Sequence, residues 1–153
     1  PNYRATLWRS ERDFLRQTER LLELADYVKL SDEETALVTG KARPQDALEV
    51  LAGRGVRTAV VTRGKDGAMA LSGGQLVRAA GVPAVAVDAT GAGDAFWGGF
   101  LYRLLHQGYP MEVQTAGMLA DCLAFGNRVG AYCVGHLGAI SGMPTMAQLE
   151  TMQ

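Results

Sequence analysis

The first third of the chain alternates charged and apolar positions with a helical period. From Ser10, the segment ERDFLRQTERLLELA places Phe14, Leu15, Thr18, Leu21, Leu22 and Ala25 three and four residues apart on one face, and Ser10 stands where an N-cap belongs. The period then shortens. Tyr27-Val28-Lys29-Leu30 reads as a short strand, and Asp32–Thr39 returns to a helix that Gly40 would end. Pro44 suits the first turn of a third helix over residues 44–52, with Gly53 or Gly55 at its exit. Thr58-Ala59-Val60-Val61-Thr62 is an apolar, β-branched run of the kind that fills a strand covered on both faces. Residues 63–67 are a turn by composition, and Ala68–Ser72 with Gln75–Ala79 frame Gly73-Gly74 as a hairpin. After Val82-Pro83 the pattern predicts a further strand over residues 84–87, a glycine cluster, and two long apolar helices near 92–107 and 111–130. Strands alternating with helices argue for an α/β sandwich with a mainly parallel sheet.

Composition narrows the function classes. At 153 residues the length prior is one domain, and 48% hydrophobic with 20% charged residues describes an ordinary globular chain. Fifteen Lys+Arg against 16 Asp+Glu leave a net charge of −1, which disfavours a nucleic-acid partner and a polybasic membrane-surface role. Residues 129–149 carry no charge and are long enough to span a membrane by count. Gly130, Gly135, His136, Gly138, Gly142 and Pro144 interrupt them, so a span is rejected. Cys122 and Cys133 lack CxxC spacing and read as reduced, buried thiols of a cytoplasmic protein. His106 and His136 share no metal-ligand spacing and read as structural or surface residues. The start, Pro1-Asn2-Tyr3-Arg4, reads as the middle of a longer chain.

The unusual number is glycine: 19 of 153, about 12% against a usual ~7%. Its decisive cluster lies in Val87-Asp88-Ala89-Thr90-Gly91-Ala92-Gly93-Asp94-Ala95-Phe96-Trp97-Gly98-Gly99-Phe100, read as a strand end, a small-residue loop and a helix start. The backbone amides of Gly91, Ala92 and Gly93 can converge there on an anion at a helix N-terminus; Asp94 alone would suit a helix cap, but three small residues between two acids favour the anion site. A dinucleotide fingerprint needs a small residue where Phe96 stands, and no GxxxxGK[ST] phosphate loop occurs. The phosphate logic is therefore of another type.

Residues 88–100 resemble the carboxy-terminal signature of the ribokinase-like (PfkB) family of sugar kinases, with Ala89 where a Thr is more usual. Further resemblances follow in the family's order: Asn2-Tyr3-Arg4 with Leu7-Trp8, residues 29–34, residues 61–67, and Gly138-Ala139-Ile140. The resemblance implies a three-layer α/β sandwich of which this chain is the nucleotide-binding and catalytic portion, residues 1–153, without the amino-terminal part and its β lid. It implies Asp94 as the catalytic base that deprotonates a sugar hydroxymethyl group, and Gly91, Ala92 and Gly93 as the anion hole. Thr62, Gly64 and Gly67 would belong to the nucleotide loop, Asn127 to the adenine pocket, and Ser31 (in place of an Asn) to a phosphate contact. Glu34 would reach Mg2+ through water, and Asp88 and Thr90 with residues 138–141 would form a monovalent-cation site. ATP and Mg2+ are the implied cofactors, with K+ as an option; the implied partners are ATP and a small sugar, with homodimerisation as an option for a complete protein. Arg4 and Trp8 look most like the fructokinase branch, making fructose the first choice of acceptor; Arg4 equally suits 2-keto-3-deoxygluconate, or an ion pair with Glu34. The alternative class is a nucleotide-binding fragment with no turnover of its own.

Overall fold

The hydroxyl of Ser10 accepts the Asp13 amide at 3.1 Å and so opens α1 (Glu11–Leu22) at the expected cap. In this computed structural model, which describes residues 3–112 and 114–152, α1 buries Phe14, Thr18 and Leu22. Pro1 and Asn2 of the mid-chain reading lie outside the described residues. Leu21 departs from the expected face: it is 67% exposed, and the helix stops before Ala25. The helix ends at Leu22, which takes Ala25 off the expected face, and the 14–18–22 stripe is the one that meets the core.

The chain divides into two compact units, Pro1–Arg63 with Met69–Leu76, and Gly64–Ala68 with Val77–Gln153. In the first, β1 (Tyr27–Ser31) runs parallel to β2 (Thr58–Thr62) in the register Tyr27 to Thr58 through Ser31 to Thr62. Between them lie α2 (Asp32–Thr39), closed by Gly40 in the left-handed conformation (φ 72°), and α3 (Pro44–Gly53), with Pro44 in its first turn. Leu30, Leu48, Leu51, Ala59 and Val61 are fully buried here. The buried run of β2 matches the expected strand covered on both faces. A 3-10 turn at Gly64–Asp66 leads to the hairpin of β3 (Ala68–Ser72) and β4 (Gln75–Ala79), and the sheet order is β1-β2-β3-β4. The parallel pair is β1 with β2, and the remaining pairings are antiparallel.

The second unit is built on α4 (Ala92–His106) against α5 (Ala116–Val134), with the short α6 (Met146–Glu150) following. Ala95, Phe125, Val129, Cys133 and Leu149 form its buried cluster. The second long helix thus begins at residue 116 rather than 111, because Thr115 caps it by accepting the Met118 amide. The strand expected over residues 84–87 is absent. Val85 and Val87 are 85% and 61% exposed, and Val87 and Asp88 donate their amides to the Val134 carbonyl at 2.9 and 3.1 Å. Alternating β-branched residues favour an extended backbone, but a strand also needs a ladder, and this segment is tied to a helix end instead. No described helix is long and apolar enough to cross a membrane.

Candidate functional site

The glycine-rich loop is fixed by what precedes it and what faces it. With the amides of Val87 and Asp88 held by the last turn of α5, the Asp88 carboxylate turns to two backbone donors: Oδ1 accepts the Thr90 amide at 2.9 Å and Oδ2 the Gly138 amide at 3.0 Å. Hydrogen bonding from Thr90 first, then from Gly138, holds this carboxyl below its ordinary range, so it is ionised at neutral pH. Cys133 donates its thiol to the Thr90 carbonyl at 3.8 Å. Burial, then the charges of Asp88 and Asp94, raise the Cys133 pKa, so the thiol stays protonated at neutral pH.

Gly91 then takes a backbone that other residues rarely adopt, φ 80°, directly against Ala139: a Cβ on Gly91 would lie 2.5 Å from the Ala139 Cβ and 2.9 Å from its Cα. The helix starts at the next residue. Ala95 donates to the Gly91 carbonyl at 2.8 Å, and Ala92 donates to the Ala89 carbonyl at 3.2 Å. The Gly91 and Gly93 amides have no acceptor among the described residues. Asp94 stands exposed in this first turn, next to the helix's positive end.

A second group gathers in the same unit. Gly64 and Gly67 both have positive φ, 52° and 84°, and the Gly67 amide closes the turn onto the Gly64 carbonyl at 3.1 Å. Asn127, on α5 and 8% exposed, donates its side-chain amide to the carbonyls of Ala79 at 3.3 Å and Ala80 at 2.9 Å. Gly64, Gly67, Asp88, Thr90, Gly91, Ala92, Gly93, Asp94 and Asn127 thus all belong to one unit, whereas Arg4, Ser31, Glu34 and Thr62 belong to the other.

In that other unit, Glu34 Oε2 accepts the Ser31 amide at 2.9 Å and the Ser31 hydroxyl at 3.3 Å, as the acidic arm of a capping box at the start of α2. The Thr62 hydroxyl donates to the Leu30 carbonyl at 3.4 Å. Arg4 is exposed and makes no ion pair with Glu34. Trp8 packs edge-on to Phe14, centroids 5.3 Å apart, and Tyr3 lies 4.8 Å from the same ring. His106 stacks on Tyr102 and His136 on Tyr132, in keeping with the structural reading of both. Among the described residues no three His, Cys, Asp or Glu side chains converge as a metal cage.

Sequence reasoning missed the Cys133 thiol on Thr90, the Val134 carbonyl that takes two amides, and Gly81 beside Gly67. None had a local signal, because the partners lie from 14 to 47 residues apart along the chain.

Residues 1–146 match the description "pfkB family carbohydrate kinase". The chain is 37% identical over 151 residues to a fructokinase of Klebsiella pneumoniae, covering 98% of this chain and 48% of that protein. It is 32% identical over 152 residues to an ATP-dependent 6-phosphofructokinase of Thermoanaerobacterium thermosaccharolyticum, covering 99% and 44%. A solved fructokinase of Vibrio cholerae, with fructose, ADP and calcium bound, superposes with a TM-score of 0.84 at 31% identity, over 98% of this chain and 48% of that one. The chain spans about half the length of the curated relatives it matches.

Proposed function

The chain belongs to the pfkB family of carbohydrate kinases, and from that premise we propose that it is the catalytic and nucleotide-binding portion of an enzyme transferring the γ-phosphoryl group of ATP to a sugar hydroxymethyl group. Fructose is the proposed acceptor and fructose 6-phosphate the product. The observation that carries this reading is Asp94: an exposed carboxylate in the first turn of α4, beside two backbone amides, Gly91 and Gly93, that no described residue accepts from.

Asp94 takes the hydroxyl proton as the sugar oxygen attacks the γ-phosphorus in line, and ADP departs from the opposite side. A positioned base of this kind contributes ~10²–10⁴-fold. Phosphoryl transfer asks the protein mainly for position and electrostatics, so the Gly91 and Gly93 amides, aided by the dipole of α4 and the Ala92 amide, stabilise the charge spread over the equatorial oxygens. The 64–67 turn, open at Gly64, brings backbone rather than side chain towards the nucleotide, and within the other unit Ser31 and Thr62 are the residues we assign to nucleotide contact.

Magnesium would supply charge neutralisation on the phosphates when bound, and Glu34 is the carboxylate we assign to its water shell. Ionised Asp88, the Thr90 carbonyl and residues 138–141 offer hard oxygen donors from two loops joined by the Gly138–Asp88 hydrogen bond, a donor set that suits K+. Two buried, unpaired thiols, Cys122 and Cys133, support a reducing compartment such as the cytoplasm. A second acceptor, 2-keto-3-deoxygluconate, draws on Arg4, whose exposed guanidinium has no carboxylate partner among the described residues and suits an acidic sugar.

The test is a coupled ADP-release assay with fructose, ribose, 2-keto-3-deoxygluconate and adenosine, on the chain alone and extended towards its amino terminus. Asp94→Asn is expected to lower turnover by ~10²–10⁴-fold with ATP affinity kept. Turnover within about tenfold of the parent would remove Asp94 as the base. Nucleotide binding by the chain without turnover, restored by the extension, would identify it as a binding half.

A further inference from the structure

Asn127 spends both donors of its side-chain amide on backbone carbonyls forty-seven and forty-eight residues away, those of Ala80 and Ala79. The strip it grips, residues 79–81, lies backbone to backbone against the 64–67 turn. A Cβ on Gly81 would sit 2.1 Å from the Lys65 carbonyl oxygen, and a Cβ on Gly67 would sit 2.2 Å from the Ala79 oxygen and 2.4 Å from the Gly81 nitrogen. No side chain fits between the two strands of backbone, so a displacement of the strip displaces the turn. Gly67 and Asn127 are both buried, whereas Ala79 is half-buried and Ala80 exposed, so the side-chain amide grips the strip from its inner side.

We infer that Asn127 is a positioning residue: from behind, through the 79–81 strip and the Gly67–Gly81 contact, it sets the shape of the 64–67 turn and hence nucleotide affinity. The second half rests on the reading of that turn as the nucleotide loop. The first half stands on geometry alone. Aspartate at position 127 would set a carboxylate oxygen against two carbonyl oxygens, and the strip would have to withdraw. Alanine at position 81 reaches the same contact from the other side, without any change at Asn127.

The experiment pairs hydrogen exchange, resolved by peptide, with calorimetric titration of ADP and Mg2+ on the whole chain. Asn127→Asp and Gly81→Ala are each expected to speed exchange in residues 64–67 and 79–81 by about tenfold, the size of one lost hydrogen bond, and to weaken ADP binding by a similar factor, with α4 exchanging as in the parent. Weakened ADP binding in Asn127→Asp with unchanged exchange, together with normal binding in Gly81→Ala, would overturn the inference in favour of direct nucleotide contact. Faster exchange with undiminished ADP affinity would overturn the link from turn to nucleotide. A parent chain that binds no ADP would overturn the nucleotide reading, leaving the exchange rates to decide the positioning role. Should Asn127→Asp fail to fold, Gly81→Ala carries the same comparison.

Discussion

Gly138 donates its backbone amide to the Asp88 carboxylate at 3.0 Å, joining residues 50 positions apart. That bond and the one from Thr90 prefer the ionised acid, and they hold its pKa below the ordinary value. A depressed carboxyl contributes stability that is present above the unfolded pKa, about 3.9 for Asp, and is lost as pH falls through the lower folded value. The parent chain is therefore expected to lose stability as pH drops below about 4. Asp88→Asn keeps the shape but sets an NH2 group against one of the two donors. It should be less stable at neutral pH and show a flatter acid limb, measured by urea denaturation from neutral to acid pH. Equal neutral stability would mean that the two bonds are worth no more than the water they replace.

Adjacent glycines on α4 should respond oppositely to the same change. A Cβ on Gly99 would lie 2.7 Å from Val129 Cγ2, where α4 meets α5, whereas Gly98 has nothing within 4 Å. Gly98→Ala is expected to stabilise the chain by about 0.5–1 kcal/mol through the backbone entropy removed from the unfolded state. Gly99→Ala should instead lose about 1–2 kcal/mol net, because overpacking outweighs the same propensity gain. Thermal melts of the two variants would settle the signs, and a stabilising Gly99→Ala would contradict the close helix contact.

A third expectation concerns the polar brace between α4 and α5. Asp121 accepts from Arg103 Nε at 2.7 Å and Nη2 at 2.9 Å, and from the Tyr109 hydroxyl at 2.9 Å. Arg103 also lies over the Phe125 ring, 5.5 Å from its centroid. The hydrogen bonds from Arg103, ahead of those from Tyr109, lower the Asp121 pKa, and the bond to Asp121 raises that of Tyr109. Stability from Asp121 should thus fade as pH falls below about 4, and that from Tyr109 as pH rises past about 10. With the charged side chains 30% and 31% exposed, Asp121→Ala is expected to cost about 1 kcal/mol, below the ~1.5–3 kcal/mol of charged hydrogen bonds because solvent screens the pair. Denaturation of the parent at acid, neutral and alkaline pH, beside Asp121→Ala at neutral pH, checks the magnitude and both slopes.

What could be read from the sequence was local. Ser10, Gly40, Pro44 and Gly73-Gly74 each mark a boundary through their own backbone or side-chain chemistry, and the structure places caps, a first turn and a hairpin at those positions. Asp94 at the start of a helix was legible for the same reason, since small residues before an acid after an apolar run describe a loop entering a helix. Residues 84–87 misled because alternation reports a preference for extended backbone and is silent on whether a neighbouring strand exists. The grip of Asn127 on Ala79 and Ala80, and the Arg103–Asp121 pair, were invisible: a single chain carries no mark of which distant residue will complete a polar group.

The contact between Gly91 and Ala139 limits how this loop can vary. Shortening residue 139 to glycine would remove its Cβ but leave the Cα, which stands 2.9 Å from where any side chain at position 91 must begin. Exchanges at the two positions therefore cannot compensate for one another. A library randomised at both should return glycine at position 91 whatever stands at 139, making the chain's tolerance to change one-sided at this crossing.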